Sequence, residues 1–549
     1  MKQDLIRLGK LFSITKKLSI IYIFSTLIVA SRNFIISYVT IYIEQTVFKY
    51  MVNDISIKFG EVALKLFLII LMFVFYDGAG TYIQQTTIQK MNNKIRNAML
   101  FSILHAKLKE IDQFGNRGDL LIRIEQDIQS ATSIYSFALL LPLMYIISGI
   151  GSSIIIGRIN LFICILIYII GFLILFVQIW CGKRERILKN KAQQAIAEGA
   201  NVYNISLSGL EQIKMSNMTE YANEVHEKAL NEFLNIYKKL SGLSSIKNGS
   251  VQIGSWFGSI GVTIICIILY KYNYIALEAV ISIFNMSILI INMITSFGYA
   301  FSNMQSSLVG IDRIDQVLNI EKETENGIEC SNDLFKNDIT ILDVTCNISK
   351  DIVIRIPDFI IRHNQITGLS GKSGVGKSTF LKQMCCLYDY DGNIRIGHLE
   401  LSDINKSIVR NNILLVNQDN LIICGTVREN ILLGNDMSID DKYIIDMLND
   451  LTDNTLLSSL ENGLDTQLIE GGKNLSGGQI KIIALARALF RNANIILFDE
   501  IFAGVDKDNI HRICNYLTKM KVKKTFLIVS HDGDVLDYCD NVIVLNNTM

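Results

Sequence analysis

An excess of either charge is missing. Against 52 Lys and Arg stand 52 Asp and Glu in 549 residues, so the formal net charge is zero. A nucleic-acid partner calls for a basic surface, and this balance gives no electrostatic case for one. Charge of either sign is sparse, at 19% of residues, while 50% are hydrophobic. Paired cysteine motifs are missing too. The 10 cysteines are scattered without a CxxC pair; Cys164 and Cys266 lie in apolar runs, and Cys385 and Cys386 are adjacent. That pattern excludes a disulfide framework and a zinc site, and leaves reduced, mostly buried thiols. A cleavable signal peptide is not expected, because the first apolar run, from about Leu18, is too long for one and no small-residue cleavage site follows it.

What is present falls into two unlike halves, which the mean hydropathy of +0.33 averages away. Before about residue 310 come runs such as "LFLIILMFVF" and "LFICILIYIIGFLILFV". Six stretches, near 18–44, 61–86, 128–156, 159–181, 248–270 and 275–304, can each span a bilayer, which takes roughly 20 residues. Lys and Arg crowd the N-terminus (Lys2, Arg7, Lys10, Lys16, Lys17) and the two long connections (Lys90, Lys94, Arg96, Lys107, Lys109; Lys183, Arg184, Arg186, Lys189, Lys191). The positive-inside bias puts all three in the cytoplasm, and six-span parity sends the C-terminal half there as well. This predicts a multi-pass protein of the cytoplasmic membrane. The long connections "TYIQQTTIQKMNNKIRNAMLFSILHAKL" and "KRERILKNKAQQAIAEGANVYN" read as helices that run on past the membrane. Pro142, inside the third span, is expected to kink its helix because it removes a backbone donor. Arg32 and Asp77 fall inside the first two spans, about one helical turn apart in depth when counted from the outer end of each. Such charges are costly; they form an ion pair locking two helices, touch cargo in a cavity, or snorkel separately.

The second half reads as a soluble α/β protein. "NQITGLSGKSGVGKSTFLKQM" is strand, glycine-rich turn and helix, the setting a phosphate loop needs. Its amides from Gly374 to Ser378 face inward at a helix start, where the dipole favours an anion. Lys377 can reach the β- and γ-phosphates and the Ser378 hydroxyl can ligate Mg²⁺. "NIILFDE" is an apolar strand ending in Asp499 and Glu500. Alone it would be an ordinary strand with two surface acids; beside a phosphate loop, Asp499 can hold the Mg²⁺ shell and Glu500 can act as general base. "NLSGGQIK" opens another helix with a serine and two glycines, a second anion nest. The phosphate loop already cradles this chain's γ-phosphate, so "LSGGQ" must find one elsewhere.

With "LSGGQ" at 475–479 between the phosphate loop and the Asp-Glu strand, the sequence resembles the ABC transporters, and nearly the whole chain takes part. The fold this implies is a polytopic α-helical membrane domain of six spans, residues 1–310, then a linker, 311–335, then a soluble α/β P-loop ATPase domain, 336–549. The resemblance gives Gly371, Lys372, Ser373, Gly374, Val375, Gly376, Lys377, Ser378 and Thr379 the contacts to ATP and Mg²⁺. It makes Gln418 the glutamine that senses the γ-phosphate and shares in the Mg²⁺ shell with Ser378 and Asp499. Glu500 becomes the catalytic base and His531 the switch histidine. Ser476, Gly477, Gly478 and Gln479 become the signature that closes on ATP held by another subunit, and Asp506 the residue linking the two sites. "EIDQFGNRGDLLIRIEQD" resembles the exporter segment after the second span, with Gly118, Asp119, Leu120, Arg123 and Asp127 fitting the pattern. Coupling segments are thus expected at about 107–118 and 206–215, with Glu470 in the loop that touches them. The working unit implied is a dimer, with a second copy or a related half-transporter. The cargo is a small molecule or peptide, amphipathic or hydrophobic, to suit spans that are mostly aliphatic, with Asn285, Ser287, Asn292 and Ser296 on the last; a lipid flippase or a regulatory, channel-like ATP-binding subunit are the alternatives. Three departures stand out. The strand that usually stacks an aromatic on adenine reads "LDVTCNIS", with Cys346 and Ile348 there. "DEIFAGVD" is unusual after the base. The chain stops at "VIVLNNTM", before the last strand and helix expected of the family. Nor does a peptidase domain precede the first span, so leader-peptide cleavage is not expected.

Overall fold

A computed structural model describes residues 12–30 and, with breaks at 113, 115–116, 325–326, 350–351, 373 and 436–438, residues 59–545, besides Gly9 and Val39. Contacts divide it into two units, Met1–Leu104 with Phe114–Ile320, and His105–Gln113 with Glu321–Met549.

Among the described residues of the first unit six helices are long and apolar enough to cross a membrane: Phe12–Ala30, Phe67–Leu104, Leu141–Ile159, Leu161–Ser208, Thr219–Lys271 and Ala279–Phe301. The fourth runs for 48 residues, about 72 Å at ~1.5 Å per residue, more than twice a bilayer's hydrocarbon depth. Asn160 starts it, its side chain accepting from the amides of Phe162 and Ile163 at 3.0 and 3.3 Å. Gly209 ends it, and the short helix Leu210–Met215 turns the chain into the fifth. Pro142, which lacks an amide hydrogen, follows a π turn at Tyr135–Leu140, where the Leu141 amide reaches back five residues to the Ser136 carbonyl. One extra residue per turn absorbs the missing bond. Asp77 lies on the second helix, but Arg32 falls outside the described residues, so their pairing does too.

Small residues let these helices approach closely. At Gly149 an added Cβ would lie 2.6 Å from the Cβ of Met293 on the sixth span. That atom is fixed to the backbone and cannot swing away. Gly149→Val is therefore expected to lower the melting temperature of the purified protein, an overpacking cost of about 1–3 kcal/mol. Gly157→Val, where nothing stands within 4 Å, is the matched control. Equal melting temperatures for the two variants would discount this packing.

The second unit is α/β. Strand β1 (Ile339–Ser349) pairs antiparallel with β2 (Ile352–Arg355), β3 (Phe359–Ile361) and β5 (Asp391–Ile396). Between β3 and β5 the chain makes β4 (Ile366–Gly371), which joins a separate parallel sheet with β6 (Ile413–Val416), β7 (Ile495–Asp499), β8 (Thr525–Val529) and β9 (Asn541–Leu545), in the order β9-β4-β8-β7-β6. Every residue of β7 and β8 is buried. Continuous apolar sequence of this kind is what a strand covered on both faces requires. Because all five strands run the same way, their carboxyl ends form one edge, and that edge carries the chemistry.

Candidate functional site

Strands β4, β6, β7 and β8 hand their next residues to this edge, the place where open α/β sheets bind ligands. β4 runs into the phosphate loop. Gly374 and Gly376 sit at φ 82° and 89°, a region in which a side chain is strained; at Gly376 an added Cβ would also meet Ile354 at 2.8 Å. The helix Lys377–Met384 begins at once. Val375 and Lys377 are buried, Thr379 is half-buried, and Lys372, Gly374 and Ser378 are exposed. Ser373 lies outside the described residues.

Lys377 is only 5% exposed. Its ammonium donates to the carbonyls of Gly371 (2.7 Å) and Lys372 (3.0 Å), and lies 3.0 Å from Nε2 of His531. Burial pulls its pKa down, against the carboxylates of Glu500 and Asp499. β7 delivers those two. Asp499 is buried, and burial raises its pKa while a hydrogen bond with Ser378 lowers it. Glu500, next along, has φ 50°, left-handed for a non-glycine; such strain, of order 1–3 kcal/mol, gathers at functional sites. Its amide donates to the Val529 carbonyl at 3.2 Å, which fixes the turn, and its Oε1 lies 3.3 Å from His531 Nε2. His531 follows β8. Gln418 follows β6 by two residues and is exposed.

So Lys377, Ser378, Asp499, Glu500 and His531, spread over 155 residues of sequence, come together at one edge. The Ser378 hydroxyl and the Asp499 carboxylate touch and are hard oxygen donors, a donor set that fits Mg²⁺. The signature residues stand on another element. Ser476 caps the helix Gly477–Phe490: its Oγ accepts from the Gln479 amide at 3.2 Å, and the Gln479 side chain accepts from the Ser476 amide at 2.7 Å. Gln479 also donates to Ser459 at 2.8 Å. Among the described residues these side-chain bonds do not reach the phosphate loop. Asp506 likewise caps its own helix, Lys507–Met520, accepting from the amide and side chain of Asn509 at 2.9 and 2.6 Å. Glu470 sits in the turn that follows Gln467–Leu468, which pairs antiparallel with Gly425–Thr426 in a small two-stranded sheet.

Two residues that motif reading passed over, Tyr388 and Arg410, bind the segment after the second span and the linker. No periodicity marks them. Arg410 offers one signal, its place three residues before β6, the strand that leads to Gln418.

Two protein-family models match the sequence, one described as the ABC transporter transmembrane region, over residues 19–303, and one as ABC transporter, over 354–503. The chain is 25% identical over 489 residues to the ATP-dependent lipid A-core flippase of Alcanivorax borkumensis, covering 87% of this chain and 82% of that protein. It is 25% identical over 504 residues to the lactococcin-G-processing and transport ATP-binding protein LagD of Lactococcus lactis subsp. lactis, covering 90% and 70%. Among solved structures, a bacterial Atm1-family ABC exporter with ATP bound shares the fold, with TM-score 0.78 at 16% identity over 97% of this chain and 94% of that one.

Proposed function

The chain belongs to the ABC transporter family as an exporter-type half-transporter, and on that premise we propose that it couples ATP hydrolysis to export of an amphipathic or hydrophobic peptide or drug-like molecule. The observation that carries the reading is the contact chain from Lys377 through His531 to Glu500 beside Ser378 and Asp499. Lys377 neutralises the β- and γ-phosphates, leaving the carbonyls and His531 that hold it now. His531 then turns to the γ-phosphate. Glu500 takes a proton from the attacking water, and its amide bond to Val529 keeps the carboxylate aimed. Mg²⁺ held by Ser378, Asp499 and Gln418 would supply charge neutralisation at the phosphate oxygens. The segments near 107–118 and 206–215 pass the closure of two ATPase domains to six spans in a cytoplasmic membrane, with the N-terminus and both ATPase domains inside the cell. A second copy of the chain, or a related half-transporter, completes the unit.

A second reading is a lipid flippase, favoured by the likeness to the lipid A-core flippase over 87% of the chain. The test is ATPase stimulation of the reconstituted protein by panels of peptides, drugs and lipids. Stimulation by peptides or drugs is the expected result; stimulation by lipids alone would replace cargo export with lipid flipping, and no ATPase activity would overturn the coupling.

Adenine selectivity is expected to be weak. Cys346 and Ile348 supply no π-face, and discrimination between purines needs stacking or hydrogen bonds to the base edge. GTP should support phosphate release within about tenfold of ATP, a gap of ~1.4 kcal/mol. Ile348→Tyr should lower the KM for ATP and leave kcat nearly unchanged, because stacking acts equally on ground and transition states. A low-micromolar KM in the wild type, unmoved by the tyrosine, would assign the adenine to another residue.

A further inference from the structure

Resting on the reading of this site as a transporter ATPase, we propose that Arg410 and Glu323 are positioning residues that carry the nucleotide state of the phosphate-loop helix to the exits of the second and sixth spans.

The helix Lys377–Met384 receives phosphate at its N-terminus. At its other end the chain turns sharply: Cys386 has φ 53°, and the amides of Cys386 and Leu387 fold back onto the carbonyls of Gln383 and Lys382 at 2.8 and 3.0 Å. The next two carbonyls, of Cys385 and Cys386, accept from the Arg410 guanidinium at 3.2 and 2.9 Å. The same guanidinium holds both oxygens of Glu323 at 2.7 and 2.8 Å. A planar fork bonded in two directions transmits displacement with little slack.

Glu323 stands in the linker, five residues after the end of the helix Leu277–Leu318, which contains the sixth span Ala279–Phe301. There the linker is paired with the segment leaving the second span, whose helix ends at Leu104. Ala106 and Lys322 form an antiparallel bridge. The Glu323 amide donates to the His105 carbonyl at 2.7 Å, the Lys107 amide to the Glu321 carbonyl at 3.0 Å, and the Lys107 ammonium lies 2.5 Å from the Glu321 carboxylate. A second tie runs beside the first: the Tyr388 hydroxyl, two residues past Cys386, donates to the carboxylate of Asp112 at the end of the short helix Leu108–Asp112. The exits of two spans are thus fastened to each other, and fastened twice to the turn that ends the phosphate-loop helix. Glu323 serves the sixth span and Asp112 the second. A Cys pair at 106 and 322 would make the bridge covalent, since facing residues of an antiparallel pair lie ~4.5–5.5 Å apart and a disulfide spans ~4.4–6.8 Å.

The two tryptophans of the chain, Trp180 and Trp256, both lie on membrane-unit helices, so intrinsic fluorescence reports that unit alone and no cargo is needed. The full-length protein in nanodiscs is given Mg·ATP, and tryptophan fluorescence and phosphate release are followed together. Glu323→Ala and Arg410→Ala are expected to cut the ATP-induced fluorescence change by about fivefold or more while phosphate release at saturating ATP stays within about twofold. Glu323→Ala with Ala106→Cys and Lys322→Cys should regain the response on oxidation, by routing it through Asp112, and lose it on reduction. Adding Tyr388→Phe should abolish that rescue. A residue that merely caps a helix would give lowered stability and no rescue. A full response in Glu323→Ala, a wild type that releases phosphate with silent tryptophans, or oxidation that restores nothing, would each overturn the proposal. A wild type whose tryptophans respond to ATP without phosphate release would instead overturn the ATPase reading and leave the connection standing.

Discussion

Glu500→Gln is expected to bind ATP and Mg²⁺ and to lose about a thousandfold of steady-state phosphate release, the scale on which a positioned general base contributes. Glutamine keeps the size of the side chain and can still meet His531, 3.3 Å from Oε1 in the wild type. What it cannot do is accept a proton from water. Asp499 cannot stand in, because it is buried and bonded to Ser378, on the metal side of the pair. The backbone excludes another route to loss of activity: φ 50° is no harder for glutamine than for glutamate, and the amide bond to Val529 is unchanged. Binding of a fluorescent ATP analogue and phosphate release, measured on one preparation, separate the two effects. Release near the wild-type rate would remove Glu500 from the role of base.

Much of this edge could be read from the sequence because its parts are local. A strand followed by glycines and Lys377 defines a phosphate loop, and four apolar residues before an acid pair define β7. The Ser476 and Gln479 spacing gives a capping box. The six spans are legible for the same reason: twenty apolar residues in a row have few other uses. What stayed hidden is non-local. Arg410 and Glu323 are separated by 87 residues and Tyr388 and Asp112 by 276, and no periodicity connects such pairs. Pro142 shows a subtler limit. The sequence says that a hydrogen bond is lost there, but not that a π turn precedes it, beginning at Tyr135, whose hydroxyl lies 3.0 Å from that of Ser19 on the first span.

Mixing two damaged chains is expected to restore activity that neither has alone. The helix Gly477–Phe490 ends in donors with no carbonyl of its own to meet: first-turn amides, at Gly477 and Gly478, and the hydroxyl hydrogen of Ser476, whose oxygen is already committed to the Gln479 amide. They suit an anion, and among the described residues no side-chain bond of the signature reaches the phosphate loop of the same chain. A partner subunit's nucleotide would supply one. Lys377→Ala should then spoil the loop side of a composite site and Ser476→Ala the signature side, each lowering phosphate release by about a hundredfold, as loss of an aimed donor does. In a dimer of one chain of each kind, one site carries both lesions and the other carries none. With random assortment half the dimers are mixed and half their sites are intact, so co-expressed chains should recover roughly a quarter of the wild-type rate. Two affinity tags isolate the mixed dimers and show that they form. If those dimers hydrolyse ATP no faster than either parent, then each site is built within one chain, and Ser476 does not close on the ATP of a partner.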